Sequence, residues 1–534
     1  MRKKEEVPVR KAKLILSLFS LACILWPTLV AGQAGEGGKY LSLTLEEAVA
    51  KALKNNLQLA IQVLSPQLAD LSVARAKEKF IPTLSFTYSR RSTAQASYSW
   101  LEATDRTLTD TEGYQSQLSQ QIPTGGNLGV SLSWDRTDST TRFQTINPRY
   151  SSTLRFTFSQ PLLRDFGFKM SRREIILAQT SLEISEADLK KTVMDTIYSV
   201  EDAYWNLVYA IENLEVRRQA LQLAKELLEK NRMAVDIGTM APLDVLSAEA
   251  EVASREADII AAEAQVKNAE DQLRRILNLG RQDEEATLEV RPVDKPRFVE
   301  QKVDLQECLQ LALQNRPDLV SSRLQVESSE FNLSIARNQL LPSLSFSASY
   351  WSPGLSGDRV IYLNDNPLTG VIIGTIPGGA SGALKDSFNF KYRNWSLGLT
   401  LDIPLSSVFS RANYAQAKIN LEQAILRLKN QEEQIYLEVK NAVRTVESNY
   451  QRVQAYRVAR ELAEKKLEAE QEKLRLGLST NFMVLTYQRD LANQRTAELK
   501  AIIDYNLSLA NLDRVLGTTL KTKNIEFMNF LKRD

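Results

Sequence analysis

The chain has 534 residues, with 67 lysines and arginines against 65 aspartates and glutamates, no histidine and two cysteines. This inventory rules out histidine-based acid–base catalysis, offers no set of zinc ligands, and lacks the basic footprint of a nucleic-acid binder. The length would fill two to four ordinary domains.

At the amino terminus Arg2, Lys3, Lys4, Arg10, Lys11 and Lys13 precede an apolar stretch from Leu14 to Val30, followed by the small residues Ala31, Gly32 and Ala34. This order predicts a secretory signal peptide over 1–34, cleaved after Ala34. Pro27 interrupts the run, which is short for a membrane span. A lipoprotein site at Cys23 fits poorly, because apolar sequence continues beyond it and Ser20 stands where leucine is wanted. Cleavage removes six basic and two acidic residues and leaves a net charge of −2. Cys308 then remains alone, so no intramolecular disulfide can form. No later segment reaches the roughly 18 apolar residues of a membrane helix.

A helix is predicted over 44–79, then short segments alternating with period two. Leu128, Val130, Leu132 and Trp134 oppose Gly129, Ser131, Ser133 and Asp135; Leu154, Phe156 and Phe158 oppose Thr153, Arg155, Thr157 and Ser159. Their length of about 9 to 11 residues suits barrel strands crossing a bilayer. Strands are placed at 83–98, 114–122, 128–136 and 151–160, with a long polar loop at 99–113, a tight turn at Pro123–Gly126 and another long loop after 136. From Met170 to Gly280 only Pro242 and Gly238 interrupt a helical composition. The expectation is a long helix over 169–237, a tip at 238–242, a returning helix over 243–279 and a linker over 280–302. Val193, Val200, Leu207, Leu214, Leu221, Leu228 and Val235 recur at heptad spacing, a seam that needs a partner. A companion row turns from Ile197, Tyr204 and Ile211 to Arg218, Lys225 and Arg232, suggesting a face onto water.

The same order then returns. A helix over 304–341, strands at 343–351 and 393–403 around a Gly/Pro-rich segment (353–382) read as a mobile loop, a long helix over 411–476, a tip at 477–481, a helix over 482–516 and a tail over 517–534 are expected. Trp395, Leu397, Leu399 and Leu401 alternate with Ser396, Gly398, Thr400 and Asp402, and a second seam runs Val439, Val446, Val453. Leu45–Leu84 realigns on Leu305–Leu344, and 237–277 realigns on 476–516 at an offset of 239. Two internal repeats, 35–302 and 303–534, follow; neither buries its apolar face alone. The strand count is six per chain, with four as the alternative. Neither number closes a barrel, and lipid tolerates no open edge.

The repeated helix–proline–strand–helix–tip order, with the Gln160-Pro161-Leu162-Leu163 and Ile403-Pro404-Leu405 junctions, resembles the TolC-type outer-membrane factors across nearly the whole mature chain. The resemblance implies a mainly α fold with β: a long antiparallel α-helical barrel continuous with a transmembrane antiparallel β-barrel, closed by trimerisation. It implies a passive exit duct of a tripartite efflux pump or type I secretion system, lodged in outer-membrane lipid and reaching into the periplasm. Its partners would be a periplasmic adaptor (membrane fusion) protein and an inner-membrane transporter. No enzymatic activity, cofactor, metal or nucleic acid is implied.

By the same resemblance Gly238, Thr239, Met240, Gly477, Leu478 and Ser479 form the adaptor-contacting tips. Some members close the pore with aspartate rings after the second tip, braced by an arginine within it; here those positions hold Met483, Thr486 and Ser479. Only Asp244, after the first tip, keeps a carboxylate, so the expected constriction (Asp244, Met483, Thr486) is steric or apolar rather than cation-binding. The alternative function is a soluble periplasmic coiled-coil adaptor or scaffold, which accounts for the helices but not for the alternating aromatic strands.

Overall fold

A computed structural model describes residues 40–97, 105–142, 144–238, 241–279 and 288–527. The expected signal peptide lies outside the described residues, as do 280–287 of the linker and the last seven residues of the tail. The described residues from Leu41 onward form one unit.

Strand β1 (Tyr40–Leu43) leads into α1 (Leu45–Asn55), which starts on a capping box. The Thr44 hydroxyl accepts from Glu47 N at 3.2 Å, and Glu47 Oε2 accepts from Thr44 N at 2.9 Å. Helix α2 (Leu57–Glu78) follows at once. The single helix expected over 44–79 is therefore broken at Asn56, which turns extended (ψ 121°) and accepts from Leu59 N at 3.0 Å to cap the second piece. Strands β2 (Thr83–Ala96), β3 (Arg106–Gln121), β4 (Asn127–Ser139) and β5 (Ile146–Pro161) form an antiparallel meander. A short α3 (Phe168–Ser171) precedes α4 (Arg173–Asp236) and the returning α5 (Pro242–Leu277). Within the expected linker, β6 (Glu289–Pro292) pairs with β1 in a two-stranded sheet.

The second half runs α6 (Leu305–Asn315), α7 (Pro317–Asn338), β7 (Ser343–Tyr362), β8 (Ile372–Ile376), α8 (Ala380–Phe388), β9 (Asn394–Asp402), α9 (Val408–Arg475), α10 (Asn481–Leu516) and α11 (Thr519–Thr522). The helix expected over 304–341 is again two, because Arg316, extended before Pro317, cannot continue α6. Its guanidinium is held at 2.6 Å by both Asp318 and Glu438.

The main sheet has the order β2-β3-β4-β5-β7, with β9 continuing it beyond β7 and the short β8 pairing the far end of β7. Among the described residues it does not close: β2 and β9 each pair on one side only.

Three expectations about loops fail. The 99–113 loop shrinks because β3 begins at Arg106, and the loop after 136 shrinks because β4 reaches Ser139. Beyond the apolar band both faces are polar, so alternation fades in the sequence while the ladder continues. The 353–382 segment is also not a loop. β7 runs on to Tyr362, with Pro353 just past the point where β9 begins opposite Trp351, and a missing N–H is tolerated at such an edge. Helix α8 then packs on the sheet: Ser152 Oγ donates to the Ala383 carbonyl at 2.7 Å, and Gly354 leaves no room for a side chain there.

The core follows the heptad seams. Val193, Val200 and Leu207 of α4 are fully buried against Ala48, Ala52 and Leu59 and against Leu273 and Leu277 of α5. Val439, Val446 and Val453 of α9 are likewise buried, in a cluster with Ala312, Leu319 and Leu516. Each such side chain contributes about 1.5–3 kcal/mol on burial. The seam loosens toward the tip, where Leu221 and Val235 are half-buried. The basic companion row does not simply face water: Arg218, Lys225 and Arg232 meet Glu263, Glu256 and Glu249 of α5 at 2.8–3.1 Å. These half-exposed pairs set the register of the hairpin more than they stabilise it.

Candidate functional site at the hairpin tips

Helices α4 and α9, of 64 and 68 residues, each span roughly 100 Å at 1.5 Å per residue. Each ends in the same way. Gly238 and Gly477 take positive φ (+77° and +74°), the left-handed geometry that terminates a helix. A Cβ at either would meet nothing within 4 Å, so glycine is required there by the backbone alone. Gly238 N donates to Val235 O at 2.9 Å, and Gly477 N to Leu474 O at 3.0 Å. Past the turns, Pro242 opens α5 at a position where its missing N–H costs nothing, and Thr480 precedes α10.

Of the expected tip residues, Thr239 and Met240 lie outside the described residues. Leu478 stands exposed at the second tip, its N–H donating to Lys473 O at 2.8 Å. Ser479 Oγ donates to Glu470 Oε1 at 2.6 Å, and Lys473 Nζ lies 3.2 Å from the same carboxylate. The Ser479 hydrogen bond, joined by Lys473, holds the Glu470 carboxyl below its ordinary range although burial opposes this.

Of the expected constriction, Met483 and Thr486 share one face of α10, three residues apart, both half-buried. The Thr486 hydroxyl donates to the Phe482 carbonyl at 2.8 Å and is thus turned onto its own helix. Asp244 sits in the first turn of α5, on the other hairpin, and the described residues show no bond from it to either. Behind these positions Leu227 of α4, Leu467 of α9 and Val484, Leu485 and Leu491 of α10 form a small core that joins the two hairpins.

Around Leu478, expected at the tip, stands an apolar crown whose other members the sequence did not single out. Ile237, Leu243 and Leu246 at the first tip and Leu476, Leu478 and Phe482 at the second are all more than 60 % exposed. The signal was available: large apolar residues flank each turn glycine, where a helix end facing only water carries polar ones. Exposed apolar clusters of this kind mark contact surfaces.

At the opposite end the sheet is apolar on one face. Phe86, Trp395, Leu397 and Leu399 lie 64–75 % exposed, and Tyr88, Tyr114, Trp134 and Tyr150 stack in a ladder across four strands. Arg90, Glu112 and Arg136 follow on the same face beyond that ladder, ending the apolar band. An outward apolar band capped by aromatics is the pattern of a transmembrane β-sheet. Among the described residues no helix is long and apolar enough to cross a membrane.

The family model described as "outer membrane efflux protein" matches residues 127–279 and 308–518, more than half of the chain. Solved structures of the same architecture include the Campylobacter jejuni CmeC outer membrane channel (17 % identity, TM-score 0.63, covering 91 % of this chain and 89 % of that one). VceC of Vibrio cholerae is similar (18 %, 0.60, covering 89 % and 96 %), as is the open state of the Neisseria gonorrhoeae MtrE channel (19 %, 0.59, 89 % of each). No curated protein matches the chain significantly. The fold and its apolar sheet define the class, an outer-membrane channel protein. The chain belongs to the outer membrane efflux protein family, a TolC-type factor of the outer membrane that extends into the periplasm. With that location the soluble-scaffold alternative is set aside, and the family is one of channel proteins rather than enzymes.

Proposed function

We propose that three copies of this chain assemble into a passive exit duct, receiving solutes from a periplasmic adaptor and an inner-membrane transporter. The observation that carries this reading is the open sheet: an outward apolar face with unpaired edges at β2 and β9. Such edges cannot remain bare in lipid, and head-to-tail pairing of β9 with β2 of the next copy is the arrangement that closes a ring. Each chain contributes two repeats, 35–302 and 303–534, and their hairpins continue the barrel as an α-helical tunnel. The apolar crowns around Gly238 and Gly477 are the adaptor's docking surface. Closure at the tips is steric or apolar, with Met483 nearest the axis, Thr486 beside it and Asp244 on the neighbouring hairpin.

Mass measurement of the full-length protein in detergent tests the assembly, with three copies expected. A water-soluble monomer would overturn the reading. A photo-crosslinker placed at Leu478 should capture the adaptor, whereas one on the exposed Lys465 of α9 should not. Block of conductance by low concentrations of divalent cations, lost on replacing Met483, would refute an apolar gate.

A further inference from the structure

On the face of the sheet opposite the apolar band, the side chains are small, polar and mostly uncharged. Arg155 of β5 is the exception at mid-sheet. It lies opposite Ser131 on β4 and Trp351 on β7, and lines a concave cavity of about 400 Å³ with Thr157, Ser159, Ser349 and Ser396. Its guanidinium carbon is centred 4.7 Å over the Trp351 ring. That stack seats the cation against the wall without a counter-charge. Among the described residues no carboxylate lies within ion-pair distance of it. The nearest on this face, Asp135, is four residues along β4 from Ser131, roughly 13 Å at the strand rise. Asp135 is itself engaged by the Ser151 hydroxyl at 2.5 Å. Asp402 is farther away, at the helix end of β9 opposite Ser343. Arg91 and Arg149 share the polar face toward the outer end, so the inward charge is positive.

We propose that Arg155, seated on Trp351, makes the duct select for anionic solutes, in particular those carrying a carboxylate or sulfonate. This rests on the duct reading: closure by three copies turns one arginine into a ring of three guanidinium groups around a hydroxyl-lined stretch of the lumen. Rings of arginine or lysine in a water-filled pore favour anions, because the low-dielectric wall focuses their field into the channel. Trp351 fixes the height of the ring and keeps the guanidinium from folding back along the strand toward Asp135. The carboxylate or sulfonate group of a passing solute would meet the guanidinium edge, with Thr157 and Ser349 hydroxyls beside it.

The test is the reversal potential of the full-length protein in planar bilayers under a potassium chloride gradient, for the unaltered chain and for Arg155→Gln, Arg155→Lys and Asp135→Asn. The chloride-to-potassium permeability ratio should fall roughly twofold or more in Arg155→Gln and be kept in Arg155→Lys. Asp135→Asn should raise the ratio or leave it unchanged. A conducting Arg155→Gln pore with an unaltered ratio overturns the assignment to Arg155 and leaves the duct intact. Loss of selectivity in Arg155→Lys as well would show that the charge is not the determinant, which also overturns it. Absence of conductance both in the unaltered protein and in Met483→Ala, which opens the proposed constriction, sinks the duct and, with it, the role of Arg155.

Discussion

At the second tip Glu470 closes the turn, gripping Ser479 and Lys473 from inside the last turns of α9. At the first tip the residue 239 positions earlier is Asn231, 1 % exposed, whose Nδ2 finds no hydrogen-bond partner among the described residues. The turns themselves are alike, glycine for glycine. The difference teaches that the backbone geometry of a tip is set by its glycine, while its rigidity is set by what stands one or two turns behind. Among the described residues, a carboxylate clasps the second tip where the first tip offers the neutral Asn231, which suits a structure in which one hairpin moves more readily than the other.

The largest expected effect tests whether the tips are one unit. Leu227→Ala on the first hairpin and Leu467→Ala on the second empty the same small core, and each should cost about 2–5 kcal/mol. If the core couples the hairpins, amide exchange of the second tip will speed up in Leu227→Ala although nothing on that hairpin was altered. Exchange confined to the mutated hairpin would separate the two tips for good. Next comes the turn itself. Gly238→Ala and Gly477→Ala should each destabilise by about 1–2 kcal/mol through the left-handed backbone alone, since neither Cβ meets a neighbour. Unequal losses in thermal denaturation would mean that the clasp and the turn are not independent.

A smaller effect carries opposite signs at the two tips. Replacing the amide, whose Nδ2 has no partner among the described residues, by an apolar group of similar size in Asn231→Leu should be neutral or stabilising by up to about 1 kcal/mol. Glu470→Gln, at the corresponding place, should loosen the second tip. Hydrogen exchange read locally at each tip distinguishes the two, and loosening in both variants would erase the contrast.

Long helices and alternating strands were legible because heptad spacing and period two are consequences of burial on one face. Val193, Val200 and Leu207, or Phe156 and Phe158, announce their faces without any neighbour being known. The breaks at Asn56 and Arg316 were less legible, because capping is a local hydrogen bond that the apolar pattern does not record. The strand ends beyond Arg106 and Tyr362 were hidden for a different reason: where both faces meet water, the ladder needs no alternation. At the tips the glycines were readable from sequence. The Glu470–Ser479 clasp was not, since nine residues separate its partners and only the turn brings them together. The basic row of α4 is exposed, in line with its composition, but its partners were hidden because Glu249, Glu256 and Glu263 stand on the returning helix.

The most delicate test of the contrast is pH. Because Ser479 and Lys473 favour the ionised form, the folded Glu470 carboxyl titrates below its unfolded value. A depressed carboxyl contributes stability that is present above the unfolded value and lost as pH falls through the folded one. Acidification through the carboxylate range should therefore release the second tip, while Asn231, which does not titrate, leaves the first tip as it was. A spin label at Leu478 should gain mobility on acidification and one at Ile237 should not, and the Leu478 response should vanish in Glu470→Gln. Equal mobilisation of both labels would assign the acid response to the general loss of ion pairs along the hairpins, such as Arg232–Glu249, instead of to the clasp.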